Sequence, residues 1–266
     1  MKNSTILFKY TSRSRPELFE RGLKSIVDNL NQPEKSIVLV SIDEDDVKAE
    51  QYKDIVNNYF GKIHIRLFIG KKSNKIGAIN RDLNDVKTDW QILINMSDDM
   101  VFIQKGFDDV IRKGFAEHFP EGDGFLHFND GYQKANVSTM TIMDRKYYDR
   151  FGYIYHPLYK SVWCDVEQTD VAFALGRYKY MGDEVCIFEH LHPALGKAEN
   201  DDQYRASENL DVWGEDLKVC IDRKTKGYDL ILAIEFHKYP ASAMQQWKIE
   251  LNNARQNVGM QPIMFN

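Results

Sequence analysis

The chain has 266 residues, 43% of them hydrophobic and 28% charged, with a formal net charge of −5 and a pI near 5.8. That mixture suits one globular α/β domain and excludes a largely disordered chain or a broad basic surface for sequence-blind nucleic-acid binding. Cys164, Cys186 and Cys220 are odd in number and match no CxxC spacing, so a disulfide framework is not expected and reduced thiols in a cytoplasm-like compartment are the simpler expectation. The apolar run before Lys9 is too short and polar for a signal peptide, and no stretch approaches the ~20 apolar residues of a membrane span.

In chain order, Ile6 to Tyr10 reads as a short buried strand. Pro16 opens a helical pattern through Leu18, Leu23, Ile26, Val27 and Leu30, with Ser14 as its expected cap. Ser36 to Ile42 is a β-rich run ending in Asp43, Glu44, Asp45 and Asp46. A helix follows over Lys48 to Tyr59, then a strand over Ile63 to Ile69 between Gly61 and Gly70. Lys75 to Asp85 begins another helix after a Gly/Lys/Ser/Asn loop, and Trp90 to Asn95 is a fourth strand running into Ser97-Asp98-Asp99. Strands alternating with helices at this spacing imply a mostly parallel sheet with ligands beyond the carboxyl ends of its strands. Thr11-Ser12-Arg13, Asp43-Glu44, Gly70-Lys71-Lys72 and Ser97-Asp98-Asp99 all fall there, a combination suited to a nucleoside diphosphate and a divalent metal.

The second half is less regular. Strands are expected over Phe125 to Phe128, Thr139 to Met143 and Glu184 to His190, and helices over Asp144 to Phe151, Cys164 to Gly176, the later part of Asn200 to Lys218 and Ala241 to Asn257. Residues 1–266 are read as one domain, with 1–100 a nucleotide-binding half, 101–222 an acceptor-side half and 223–266 an extension.

Four groups carry candidate chemistry. Adjacent carboxylates Asp98 and Asp99 repel unless a cation joins them, which points to Mg²⁺ or Mn²⁺ shared with phosphate oxygens; solvated aspartates at a strand end are the plain alternative. His190 and His192, two apart in extended chain, point the same way and are candidate metal ligands. Asp165 and Glu167, at a helix start, are candidate general bases, against a helix-dipole role alone. Lys197, in a polar loop, is placed to reach a phosphate.

Together these segments resemble GT-A-fold nucleotide-sugar glycosyltransferases, particularly the large inverting family, over roughly Thr5 to Leu195. The resemblance implies an α/β fold with a mostly parallel central sheet flanked by helices. It makes "ILFKYTSRSRPE" the first strand and nucleotide loop, with Thr11, Ser12 and Arg13 on the donor. It also puts Asp43 of "VSIDEDD" on the base or ribose, and Lys75, Gly77, Asn80 and Arg81 of "KIGAINRDL" around the donor phosphates and sugar. "ILINMSDDM" is similar to the metal-binding DxD segment, with Asp98 toward the donor and Asp99 on the metal; Met96 stands where the family often has its first carboxylate. "WCDVEQTD" resembles the stretch that supplies the base, with Asp165 at the matching position, and "FEHLHP" the late histidine of the metal shell.

The implied reaction moves a sugar from a nucleoside diphosphate sugar, commonly UDP-linked, to a hydroxyl acceptor with inversion, assisted by Mn²⁺ or Mg²⁺. The acceptor is a saccharide or, as in some phage enzymes, a hydroxymethylated DNA base, on which Tyr153, Tyr155, Tyr159 or Trp163 would stack with Lys160 on a phosphate; the same aromatics suit a sugar ring or the core equally, and the acidic pI counts against DNA. A nucleotidyltransferase would carry a Gly-rich loop that Thr11 to Arg15 lacks, and a non-enzymatic sugar-nucleotide module would not need Asp98, Asp99 and Asp165 around one point. Oligomeric state is not encoded in any pattern found.

Overall fold

The computed structural model describes residues 4–86, 88–197, 201–207, 209–228 and 249. Four parallel strands carry its regular half: β1 (Ile6–Thr11), β2 (Ser36–Asp43), β3 (His64–Gly70) and β4 (Ile92–Met96), in the spatial order β3-β2-β1-β4. Helices α1 (Pro16–Asn29), α2 (Ala49–Asn58) and α3 (Lys75–Asn80) make the crossovers, with a 3₁₀ turn over Leu83–Asp85. Then come β5 (Met100–Phe102), α4 (Phe107–His118), β6 (Phe125–His127), β7 (Ile142–Asp144), α5 (Arg145–Tyr148), α6 (Cys164–Ala174), β8 (Tyr178–Tyr180) and β9 (Phe188–His190). The last described helices are α7 (Asp202–Ser207) and α8 (Leu210–Thr225). Strands β7, β6 and β8 extend the sheet to seven, with antiparallel pairings at β4–β7 and β7–β6, while β5 and β9 form a separate antiparallel ribbon.

The sheet is covered on both faces at β1, β2 and β4, which is why these strands read as mostly apolar runs, while the edge strand β3 stays partly open. Alternate residues divide between two cores. Ile6, Phe8, Tyr10, Val38, Val40, Ile92 and Ile94 pack with Phe19, Leu23 and Ile26 of α1, Tyr52 and Val56 of α2, and Phe107, Ile111 and Phe115 of α4. Leu7, Ile37, Leu39 and Leu93 pack on the other face with Ile76 and Ile79 of α3, Val171 and Ala172 of α6, and Cys220 of α8. Lys9 lies on this second face with no solvent exposure, its ammonium donating to Ser41 Oγ, which in turn donates to Asp82 Oδ2 at 2.6 Å.

The expected α/β fold is the observed one, with corrections at its edges. Ser14 does not cap α1: its backbone is left-handed (φ 59°), its amide is held by Asp46 Oδ2 at 2.7 Å, and Arg15 occupies the cap position without a side-chain capping bond. The helix expected over Lys75 to Asp85 breaks at Asn80, because Asp82 is left-handed. The strand expected over Glu184 to His190 is confined to Phe188–His190. Elements β5, α4 and β8 lie in stretches without an expected element. The helix expected over Ala241 to Asn257 lies outside the described residues, apart from Ile249.

Candidate active site

The carboxyl ends of β1 and β4 and the start of α6 line a cleft of about 490 Å³, whose walls include Thr11, Lys75, Asn95, Ser97, Asp99, Tyr132, Trp163, Asp165, His190, His192 and Trp213. A second cleft of about 920 Å³ shares Asp99 and is walled by Arg15, Arg21, Lys48, Lys197 and Tyr204. Asp99 therefore stands on the partition between the two.

β4 delivers both aspartates, but to different surroundings. Asp98 is buried, with Oδ2 accepting from Ser12 Oγ at 2.9 Å, and Ser12 is itself 2.7 Å from the Tyr52 hydroxyl. Burial, reinforced by neighbouring Asp99, pushes the Asp98 carboxyl up to about 7, although Ser12, Arg15 and Arg21 act the other way. Asp99 faces the clefts, and its Oδ2 lies 3.3 Å from His190 Nε2. Burial works against its charge, but the hydrogen bond and charge of His190 outweigh burial and hold the carboxyl well below its usual range.

His190 sits between two carboxylates. Its Nδ1 is 3.3 Å from Asp130 Oδ2, and Asp130 Oδ1 accepts from the amides of Tyr132, Gln133 and Lys134 at 2.8, 2.7 and 3.1 Å. Burial lowers the imidazole's affinity for a proton, yet Asp130 and Asp99 together raise its pKa to about 9. A carboxylate on the far nitrogen is the usual way a metal-binding histidine is oriented. The β5–β9 pairing makes this cluster: Met100 lies opposite His190, and the Leu191 amide donates to the Asp99 carbonyl at 2.6 Å.

The residue types fit a hard divalent cation. The Oδ1 atoms of Asp98, Asp99 and Asn95 are enclosed without hydrogen-bond partners among the described residues, leaving acceptor oxygens of the kind Mn²⁺ and Mg²⁺ take. Among the described residues no group of three His, Cys, Asp or Glu is close enough to hold a metal ion unaided, so phosphate or water oxygens would complete the shell. His192 is turned differently from His190: Nδ1 accepts from the Ala194 amide at 3.1 Å, Nε2 lies 3.1 Å from the Tyr204 hydroxyl, and the ring stacks on Tyr132. Both of its ring nitrogens are engaged by protein.

α6 brings Asp165 into the same cleft and takes Glu167 out of it. Asp165 Oδ1 accepts from the Val166 amide at 2.9 Å, and burial raises its pKa, opposed in part by that bond and by the charges of Lys75 and His190. Glu167, two residues on, turns through about 200° of helix and is buried. There it accepts from Arg223 Nε and Nη2, both at 2.8 Å, and from the Tyr159 hydroxyl at 2.7 Å. Glu167 ties α6 to α8 and does not face the cleft, which corrects its expectation as an alternative base.

The expected donor-binding residues separate into three environments. Thr11 and Lys75 line the cleft, and Lys75 has no ion-pair partner among the described residues. Arg13, Asp43 and Arg81 form a network: Asp43 accepts from Arg13 Nη1 at 2.6 Å and Arg81 Nη1 at 2.8 Å, and Arg13 also grips Asp45. Gly77 and Asn80 act within the scaffold. A Cβ at Gly77 would meet Ser73 Cβ at 3.1 Å and Asn74 Oδ1 at 3.2 Å, where Asn74 caps the helix. Asn80 donates to the Tyr155 carbonyl at 2.6 Å and accepts from the amides of Ile154 and Tyr155, so that both ends of its amide bind the 154–155 backbone. Lys197 reaches Glu189 at 2.5 Å on the wall of the second cleft.

One feature of the site, Asp130, escaped the sequence, and a second, Trp163, was expected only as a stacking aromatic. Asp130 is signalled only by Asn129-Asp130-Gly131 after a strand, a turn tripeptide whose second carboxylate oxygen happens to face a histidine. Trp163, directly before α6, is left-handed at φ 64°, a conformation that costs a bulky residue about 1–3 kcal/mol and concentrates at working sites.

No family model matches the sequence, and no curated protein matches it. Solved structures do. The mannosyltransferase PcManGT from Pyrobaculum calidifontis, in complex with GDP-Man and Mn²⁺, superposes with a TM-score of 0.61 at 13% identity, covering 97% of this chain and 77% of that one. S. aureus TarS 1–349, in complex with UDP-GlcNAc, superposes with a TM-score of 0.63 at 12% identity, covering 96% and 81%. The fold is shared with both. At these identities the likeness is one of architecture, and it extends over nearly the whole chain, including its irregular second half.

Proposed function

We propose that this chain is a metal-dependent glycosyltransferase that moves a sugar from a nucleoside diphosphate sugar, UDP-linked, to a hydroxyl acceptor with inversion. The observation that carries the reading is the placement of Asp99, Lys75 and Asp165 around one cleft at the carboxyl end of a parallel sheet. The two structural neighbours that hold GDP-Man with Mn²⁺ and UDP-GlcNAc support a nucleotide-sugar donor.

In this reading residues 1–100 bind the donor and 101–222 the acceptor. Asp99 and His190 hold Mn²⁺ or Mg²⁺, with Asp130 fixing the imidazole from behind and Asp98 bracing the strand end through Ser12. A cation there supplies positive charge to the departing nucleoside diphosphate. Lys75, at the cleft wall, pairs with the phosphates, and Thr11 lies along the nucleotide. The Arg13–Asp43–Arg81 network braces the end of β2 beneath the base. Asp165 accepts the acceptor's proton as its oxygen attacks the anomeric carbon from the face opposite the leaving group. Its burial brings the carboxylate's proton affinity closer to what a base near neutral pH requires.

A thermal-shift series with nucleoside diphosphates and their sugars, in Mn²⁺ and in EDTA, tests the donor half. A ligand that binds only the folded chain raises the melting temperature by mass action. A rise with one nucleotide sugar that EDTA abolishes is the expected result; no rise with any nucleotide in either condition overturns the reading.

A further inference from the structure

Opposite the donor wall, the cleft has a second face made by residues 161–166 and α8. Trp213 of α8 meets Trp163 edge-to-face, ring centroids 5.1 Å apart, yet 43% of Trp213 stays open. Ser161 and Trp163 both line the cleft, and the Trp163 indole N–H and the Ser161 hydroxyl are enclosed with no hydrogen-bond partner among the described residues. Enclosed polar groups are almost always paired, so two on one wall beside an open aromatic ring call for a ligand that brings hydroxyls and an apolar face together.

The wall is rigid. Asp216, buried one helical turn beyond Trp213, accepts from the amides of Lys160, Ser161 and Val162 at 2.9, 2.8 and 2.9 Å. It is also electrically balanced: Lys160 is matched by Glu215 at 2.5 Å, and Lys224 by Asp170 at 2.7 Å. A nucleic-acid acceptor needs uncommitted cations for its phosphates, and these are committed.

We propose that Ser161, Trp163 and Trp213 form the acceptor subsite and that the acceptor is an uncharged pyranoside. Its ring lies with the apolar face on Trp213, its hydroxyls meet Ser161 Oγ and Trp163 Nε1, and the hydroxyl that attacks is turned to Asp165. The assignment rests on the glycosyl-transfer reading of the cleft.

The test is a binding titration of methyl hexopyranosides, followed by saturation-transfer NMR with and without UDP and Mn²⁺. A single-stranded oligonucleotide carrying 5-hydroxymethylcytosine is titrated in parallel. At least one pyranoside is expected to bind, with saturation strongest on one ring face. Trp213→Ala should weaken it tenfold or more while leaving nucleotide-sugar affinity within twofold, and Trp213→Phe should restore most of it. Absence of pyranoside binding, equal binding by Trp213→Ala, or oligonucleotide binding that depends on Trp213 each overturns the subsite. Failure of the wild-type chain to bind any nucleotide sugar would instead overturn the reading beneath it.

Discussion

The chain carries two acidic clusters at strand ends, and they are equipped differently. At the end of β2, Asp43 is gripped by Arg13 and Arg81, Asp45 by Arg13 and Lys72, and Asp46 by the amides of Ser14 and Lys48. At the end of β4, Asp98 and Asp99 each keep one enclosed oxygen with no partner among the described residues. The same contrast recurs on α6, where Glu167 is saturated by Arg223 and Tyr159 while Asp165 faces the cleft with one bond to its own helix. Carboxylates whose oxygens are filled by the protein's own cations hold the structure together; those with oxygens to spare are placed to act on something else.

Substitutions can break this contrast. The largest effect is expected at Asp165: Asp165→Asn should lower turnover by about 10²–10⁴-fold, the usual range for losing a general base, with nucleotide-sugar affinity retained. Turnover and calorimetric affinity measured together decide it, and wild-type turnover would remove Asp165 from the role. On the saturated side, Glu167→Ala strands the buried Arg223 charge and should cost about 3–5 kcal/mol of stability in urea unfolding, with donor affinity unchanged below the melting transition. Stability within 1 kcal/mol of wild type, on the order of a surface substitution, would show that the pair is not what joins α6 to α8.

A smaller effect is expected at Asp99. Asp99→Ala should remove the part of nucleotide-sugar affinity that EDTA removes from the wild type, a loss of roughly tenfold or more, about 1.4 kcal/mol. A metal-dependent melting shift that survives the substitution would move the cation elsewhere. The last is a pH effect at Lys9. Burial pushes its ammonium down to about 7, against the pull of Asp82, from an ordinary 10.5. Between those values the unfolded chain holds a proton that the folded chain has released, so this group makes stability rise with pH across that window, by at most about 1.4 kcal/mol per unit. Urea midpoints at pH 7 and pH 9.5 should therefore converge in Lys9→Met relative to wild type; an unchanged difference would mean that Lys9 keeps its proton.

The parallel half was legible because each strand is a largely apolar run ended by polar residues, and burial of β1, β2 and β4 on both faces leaves little else for such runs to be. The irregular second half was less so. Strands β5 and β8 are three residues each, too short for a period to show, and α4 hides its Phe107-Ile111-Phe115 stripe among Asp108 and Arg112, which are buried as an ion pair. In the cleft, Asp99, Asp165, His190, Lys75 and Thr11 were visible as types at strand and helix ends. What sequence could not show was which carboxylate meets an arginine. Asp165 and Glu167 differ by two helix positions, and only the arrival of α8 some fifty residues later (Arg223 is 56 away) saturates one of them.

The β5–β9 ribbon has a consequence for the order in which this protein comes into being. Asp99 and His190 are 91 residues apart in the chain, and the three-residue pairing of their strands is what brings them together. At roughly 5–20 residues per second of synthesis, β4 and its aspartates would leave the ribosome about 5–18 s before the histidine follows. During that interval a nascent chain can build its parallel sheet while the cleft still lacks one wall. Competence to hold a donor would thus arrive late and abruptly, with the closing of a ribbon of two short strands.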